Sequence, residues 1–414
     1  MPKVITVAVT QMDPAPAPLA ERLGRAERLV AAAAAQGAAL LALPELFNTG
    51  YIYDERNYAL AEPPDGPTVT WLRQMASRYA LHLGGALLLR DGDEIYDSLL
   101  LAAPDGQTWR YDKRYPWAWE RAYFRPGGGV SVAETALGRI GLLICWDVAH
   151  RELWQAYAGQ VDLMLVSSCP PDVSQPVYTF PDGSRVTLEQ AGKRMAAITG
   201  SGALTFGQML DEQAAWLGVP LLNAMGAGRF SSPVPRPAAL ILSLLPQNPR
   251  LLRCLFARRG RAKTSAFPPP PAPPPRGRGD IGEIGCSGGL RPPEHPISPS
   301  LPPFPAGRGA RGDGEVRRTP EWGVHLDCPM APGCKIVDAQ GRALAQIGPE
   351  AGEAVILAEV TLRDAPPQPS SPQPPSPLPP IAYDLSDRLL PRLMLPLYRK
   401  GQRLGHRPPP TGQR

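Results

Sequence analysis

Cys145 is the side chain whose setting best suits a nucleophile. It ends an apolar run, Ile140 to Ile144, that reads as a buried strand, and the polar residues after it lead to Leu153 and Trp154, which read as the start of a helix. A strand-to-helix turn lifts a side chain out of the sheet end and aims backbone N–H groups at whatever that side chain attacks. A cysteine after an apolar run is also the usual form of a buried structural thiol. Glu45, in PELFNTGY, follows a second apolar run, Ala39 to Leu43, and so sits where α/β sheets present functional carboxylates, although a helix N-cap uses the same residue type. Lys113 leaves the strand Thr108 to Tyr111, where a solvated edge lysine is the ordinary alternative.

The elements that must position these three alternate between strand and helix. Val4 to Val9 reads as a strand, Leu19 to Gln36 as an Ala-rich amphipathic helix, Thr68 to Tyr79 as a helix carrying Trp71, Leu72, Met75 and Tyr79 on one face, and His82 to Leu89 as a strand. Tyr96 to Ala103 and Thr108 to Tyr111 flank Pro104-Asp105-Gly106 and read as a hairpin. Val130 to Ala133, Asp162 to Ser167 and Val219 to Asn223 read as further strands, and Leu188 to Leu217, with Arg194, Gln208 and Glu212, as a long helical stretch. This order predicts one α/β domain, with its main part at 1–232. Residues 233–320 lose all periodicity and contain FPPPPAPPPRGRG, a composition that cannot bury enough apolar surface to fold, so they read as a Pro/Arg/Gly-rich disordered insertion. Closing strands are expected within 321–364, then a Pro-rich linker and a C-terminal arm over 365–414, in which Ile381 to Lys400 reads as a short amphipathic helix or an extended arm.

Composition excludes several classes. The 53 prolines in 414 residues far exceed the usual roughly 5%, and the net charge of +5 is local. Between Arg250 and Arg318 thirteen Lys/Arg face five acids, a local +8 that leaves −3 for the remainder, so the basic balance describes one segment and predicts no nucleic-acid partner. Six cysteines without a framework pattern, and no leader or membrane-length apolar run, predict a cytoplasmic protein with no membrane partner. His325, Cys328 and Cys334 lack a fourth ligand and paired spacing, so no metal is expected.

Through LPELFNTGY, YDKRYPWAWERAYFRPG and GLLICWDVAHREL, in that order, the chain resembles the nitrilase superfamily of carbon–nitrogen hydrolases, over residues 1–232 and again from about 333 to 362. The resemblance implies a four-layer α-β-β-α sandwich of two mixed sheets with helices outside, paired into a homodimer or larger assembly across which the C-terminal arm would reach. It implies Glu45 as general base, Lys113 as the cation facing the oxyanion, Cys145 as nucleophile, the Trp146 backbone N–H as oxyanion donor and Glu120 as the second glutamate that positions Lys113. It implies a ping-pong thioester mechanism with no metal or organic cofactor.

Trp146-Asp147 and Glu152 match the amidase and N-carbamoyl amine branch rather than the nitrile hydrolysers, whereas Val148, Ala149, His150 and SSCPPDVSQP at 167–176 do not. The substrate pocket is expected at Tyr51, Asp147, Ser168 and Cys169, and His150 is expected to cap or pack near the helix start. Two readings compete with the amidase: a nitrilase, and a catalytically compromised member serving as a Pro-rich scaffold. Residues 271–276, PAPPPR, fit a PxxPxR ligand for SH3 domains, a pattern that Pro-rich linkers match often. The insertion's bias also resembles GC-rich DNA translated out of frame or an unspliced intron. Sequencing the mature transcript tests this, and a continuous in-frame message across Val234 to Pro320 in independent isolates would refute it.

Overall fold

The computed structural model describes residues 3–174, 176–187, 201–236 and 323–405. The 271–276 segment, Arg194 with the first part of the 188–217 helix, Cys254, Cys286 and nearly all of the 233–320 insertion lie outside the described residues.

Strands β1 (Lys3–Met12), β2 (Leu40–Ala42) and β3 (His82–Asp91) run parallel, and β3, β4 (Glu94–Ala102) and β5 (Thr108–Asp112) continue antiparallel. A second half-sheet holds β6 (Val132–Thr135), β7 (Gly138–Ile144) and β8 (Leu163–Ser167). Beyond them, β9 (Val177–Thr179) and β10 (Arg185–Thr187) belong to a separate small sheet. β11 (Leu221–Gly226) lies parallel to β8, while β12 (Arg229–Pro233) and β13 (His325–Pro329) join β9 and β10. β14 (Cys334–Val337) and β15 (Ala343–Ile347) extend the second half antiparallel from β11, and β16 (Ala354–Leu362) returns along all of β1. The two halves join where Gln11 and Met12 pair with Met225 and Gly226, making a mixed α/β domain with one 12-stranded sheet.

Alternation along each strand explains why these runs are apolar on both faces. Successive residues of a strand point to opposite sides. Val7, Val9, Leu40, Ala42, Leu99 and Leu101 enter one buried cluster together with Leu142, Leu165 and Ala224 of the other half-sheet. Their neighbours Ala8, Leu41, Leu43, Leu100 and Ala102 enter another, with Ala26 and Val30 of the helix Leu19–Ala34 and Leu72 and Met75 of the helix Pro67–Arg78. The two half-sheets approach closely: a Cβ on Gly84 would lie 3.0 Å from Leu165, and Ser167 Oγ donates to Leu43 O at 2.8 Å.

Two segments depart from their sequence reading, and the C-terminal one takes the helical form of the two expected for it. The small antiparallel sheet β10-β9-β13-β12 was not expected, because its strands are three to five residues long and pair across a large sequence separation. It places Tyr178, Phe230 and Leu326 against Tyr51, Tyr53 and Trp119. The Pro-rich stretch after Leu362 is moored to the body rather than acting as a free linker: Trp216 Nε1 donates to Ser371 O at 2.9 Å, and Gln373 Nε2 donates to Arg151 O at 3.0 Å. The C-terminal residues are helical from Pro380 to Gly405, with Met394 and Tyr398 buried beside Tyr58 and Tyr123 of the same chain.

Among the described residues, no helix is long and apolar enough to cross a membrane, no group of three His, Cys, Asp or Glu can hold a metal, and Cys145, Cys169, Cys328 and Cys334 are free thiols.

Two adjacent glycines near Lys113 give a matched test of local fit. A Cβ on Gly127 would lie 2.3 Å from Asp112 O, whereas one on Gly128 meets nothing within 4 Å. Gly127→Ala is expected to destabilise the domain by about 1–3 kcal/mol in denaturant unfolding and to lower activity with it, while Gly128→Ala leaves both unchanged.

Candidate active site

The residues that follow three strands converge on one buried cluster. β2 stops at Ala42, and Glu45 follows two residues beyond Leu43, fully buried. β5 stops at Asp112, and the next residue is clamped at both backbone positions: Lys113 N–H donates to Asp97 O, and Gly127 N–H donates to Lys113 O, each at 2.8 Å. β7 stops at Ile144, and Cys145 takes φ +47°, the left-handed region that costs a non-glycine residue strain. The helix expected around Leu153 and Trp154 runs from Arg151 to Tyr157. A single 3₁₀ stretch, Cys145–Ala149, makes the elbow.

The Lys113 ammonium sits at the centre. Its Nζ donates to Glu45 Oε1 at 2.5 Å and Glu120 Oε2 at 2.6 Å, and lies 3.7 Å from Asp97 Oδ2. Each carboxylate is fixed by further donors. Glu45 Oε2 accepts the Cys169 backbone N–H at 2.9 Å; Glu120 Oε2 accepts the Trp117 N–H at 2.6 Å, and its Oε1 accepts the Tyr51 hydroxyl. Glu45, Lys113, Glu120 and Cys145 are at most 3% exposed.

Burial therefore sets the protonation states. Burial by itself would pull the Lys113 ammonium down, but the Glu120 and Glu45 carboxylates beside it hold it well above the usual lysine range. Burial pushes the Cys145 thiol well up, and Glu45 pushes it further, so the thiol is neutral at rest and must give its proton to a base before it attacks. Glu120 rises to about 7, with desolvation outweighing the Lys113 charge.

A cavity opens over the thiol, lined by Cys145, Glu120, Tyr51, Trp117, Trp146 and Phe206, with Pro170, Pro171 and Thr205 among the remaining wall residues. Of the four expected pocket residues, Tyr51 lines it. Asp147 is turned away and occupied: its carboxylate accepts the Tyr111 hydroxyl at 2.8 Å and the Tyr115 N–H at 2.7 Å, which ties the elbow to the segment after Lys113. Ser168 Oγ donates to Asn223 Oδ1 at 2.9 Å behind the wall, and Cys169 contributes its backbone N–H to Glu45 while its thiol abuts Gly226. Pro170 and Pro171 form the wall instead.

His150 packs as expected, stacked on Tyr115 with ring centroids 3.5 Å apart and making no capping bond. Trp146 is held from outside the pocket by Asp387 of the C-terminal helix, which accepts its indole N–H at 3.2 Å. Asp97, buried beside Lys113, belongs to no motif read from the sequence; the signal available was a carboxylate in register with inward-facing Leu99 and Leu101.

The cluster offers a thiol, a proton acceptor and a buried cation over one cavity, the set required for acyl transfer through a covalent intermediate. Ionised Glu120 holds Lys113 in place, so activity is expected to rise with pH through a step near 7. In Glu120→Gln that step disappears from the pH–rate profile while the protein stays folded; an unchanged step would contradict this assignment.

The sequence matches the carbon-nitrogen hydrolase family over residues 6–197. A nitrilase of Pyrococcus abyssi is 32% identical over 148 residues, 35% of this chain and 56% of that protein. An omega-amidase of Danio rerio is 34% identical over 161 residues, 36% of this chain and 57% of that protein. The chain thus spans little more than half the length of the curated relatives it matches. A solved structure of a CN-hydrolase superfamily protein from Xanthomonas campestris aligns with a TM-score of 0.44 at 22% identity, covering 55% of this chain and 77% of that one.

Proposed function

We propose, from the premise that this chain belongs to the nitrilase superfamily of carbon–nitrogen hydrolases, that it cleaves a non-peptide C–N bond of a small linear amide or N-carbamoyl amine through a Cys145 thioester. The observation that carries the reading is the Lys113 ammonium bonded to both Glu45 and Glu120, the second of which lines the same cavity as Cys145.

The steps follow from these positions. Glu45 takes the thiol proton as Cys145 Sγ attacks the carbonyl carbon; the C=O π pair moves to oxygen, where Lys113 and the Trp146 backbone N–H meet the negative charge. Collapse re-forms C=O and breaks the C–N bond, and Glu45 returns its proton to the leaving nitrogen, releasing ammonia or amine. Water then attacks the thioester, giving its proton to Glu45, and the thiolate leaves and is reprotonated as the acid departs. Glu120 keeps Lys113 oriented throughout. The largely apolar, aromatic wall fits a substrate with few charges. The Trp146-Asp147 pair supports the amide branch over nitriles, and the relatives named above include both kinds.

Ammonia release from a panel of linear amides, N-carbamoyl amines and nitriles tests this. Turnover of an amide or carbamoyl substrate that vanishes in Cys145→Ala is expected, a loss of at least about 10³-fold; turnover of nitriles alone would select the nitrilase reading, and turnover surviving in the variant would refute the thioester.

A further inference from the structure

The catalytic cluster as read from motifs contains two carboxylates and one ammonium, but the structure places a third carboxyl in it. Asp97 is fully buried on β4, and strand alternation puts it on the same face as Leu99 and Leu101, toward the core between the half-sheets. Its Oδ2 lies 3.7 Å from Lys113 Nζ, beyond hydrogen-bond distance, and neither carboxyl oxygen accepts a hydrogen bond from a donor among the described residues, although the Glu45 carboxyl lies close enough to share a proton with it. Glu45 and Glu120 differ in this respect: each accepts a bond from Lys113 and at least one more from a backbone N–H. Three ionised carboxylates sharing one ammonium, all out of water, would leave two negative charges uncompensated. At least one proton must stay in the cluster. It belongs on the carboxyl that lacks donors, since donors are what stabilise an anion there.

Resting on the mechanism proposed above, we propose that Asp97 holds a proton in the resting site and, as a neutral acid, leaves the Lys113 charge to Glu45, Glu120 and the oxyanion. Asp97 is thus a positioning residue that acts through Lys113. Burial, then the charge of Glu45, pushes its carboxyl well above the usual aspartate range, with Lys113 opposing and Glu120 reinforcing, in agreement with the geometry. Ionised Asp97 would compete for the ammonium and deepen the negative field at Cys145, so activity falls when this proton is lost on the alkaline side.

Asp97→Asn keeps the size and neutrality of the protonated acid. At a pH above the Glu120 step near 7, where that carboxyl is ionised, the wild type is expected to show the infrared carbonyl stretch of a protonated carboxyl, shifted by isotopic labelling of aspartate but not of glutamate, and absent in Asp97→Asn. The alkaline limb of the variant's pH–rate profile should move to higher pH, and an unmoved limb would contradict the assignment. The variant's Tm should match or exceed that of the wild type at neutral pH. The sign follows from linkage: a carboxyl whose folded value is raised contributes stability that is complete below its unfolded value and is lost as pH rises toward the folded one, so the variant's advantage shrinks in acid.

A band shifted by labelled glutamate, no band at all, or a variant less stable than wild type at neutral pH would overturn the proposal. If Asp97→Asn does not fold, the labelling measurement on the wild type still decides where the proton sits. If the wild type turns over no amide, carbamoyl or nitrile substrate, the hydrolase reading fails, and the labelled aspartate band separately upholds or overturns the proton assignment.

Discussion

A lysine with no exposed surface is the constraint on which this structure depends. Lys113 stays charged because two carboxylates reach its Nζ within 2.6 Å, and those carboxylates stay where they are because backbone N–H groups and a tyrosine hydroxyl hold them. Removing one member of a buried charge cluster costs about 3–5 kcal/mol, a large part of the roughly 5–15 kcal/mol that a domain has. Apolar residues of the same volume would fill the space without that risk. A fold that retains such a cluster beside a thiol at φ +47° carries two local penalties at one point, the pattern expected where chemistry rather than stability sets the sequence.

The surrounding architecture makes the cluster rigid. Glu45, Lys113 and Cys145 each follow the last residue or residues of a different strand, so their backbones inherit the register of a 12-stranded sheet. Asp147, one residue past Trp146, bonds to Tyr111 and to the backbone after Lys113, and so locks the elbow to the lysine strand. Asp387 and the moored Pro-rich stretch fasten the same region from outside, through Trp146 and Arg151. Preorganisation of this kind places the cation and backbone donors before charge develops, which is where electrostatic catalysis gains its effect.

Much of this was legible in the residues. The runs ending at Leu43, Tyr111 and Ile144 gave the strands, and the residues after them gave Glu45, Lys113 and Cys145, because an apolar run that stops abruptly marks a sheet edge. Asp97 was not legible in the same way: as one acidic residue in a hairpin strand, its facing depends on register, which a single strand does not reveal. The placement of Asp147, Ser168 and Cys169 behind the wall depends on how β7 and β8 end, and the small sheet depends on pairing between Arg229–Pro233 and His325–Pro329 across a long separation. The Pro-rich stretch after Leu362 has the composition of a linker, yet the Ser371 backbone carbonyl and the Gln373 side-chain amide find fixed partners.

The most direct test of the account is mass spectrometry of the intact wild-type protein acid-quenched during turnover of an amide substrate, followed by peptide mapping. The account predicts a transient mass increase equal to the acyl group, on the peptide carrying Cys145. An adduct on Cys169 instead, or sustained turnover with no acyl-enzyme in quenches taken from the first turnover onward, would contradict it.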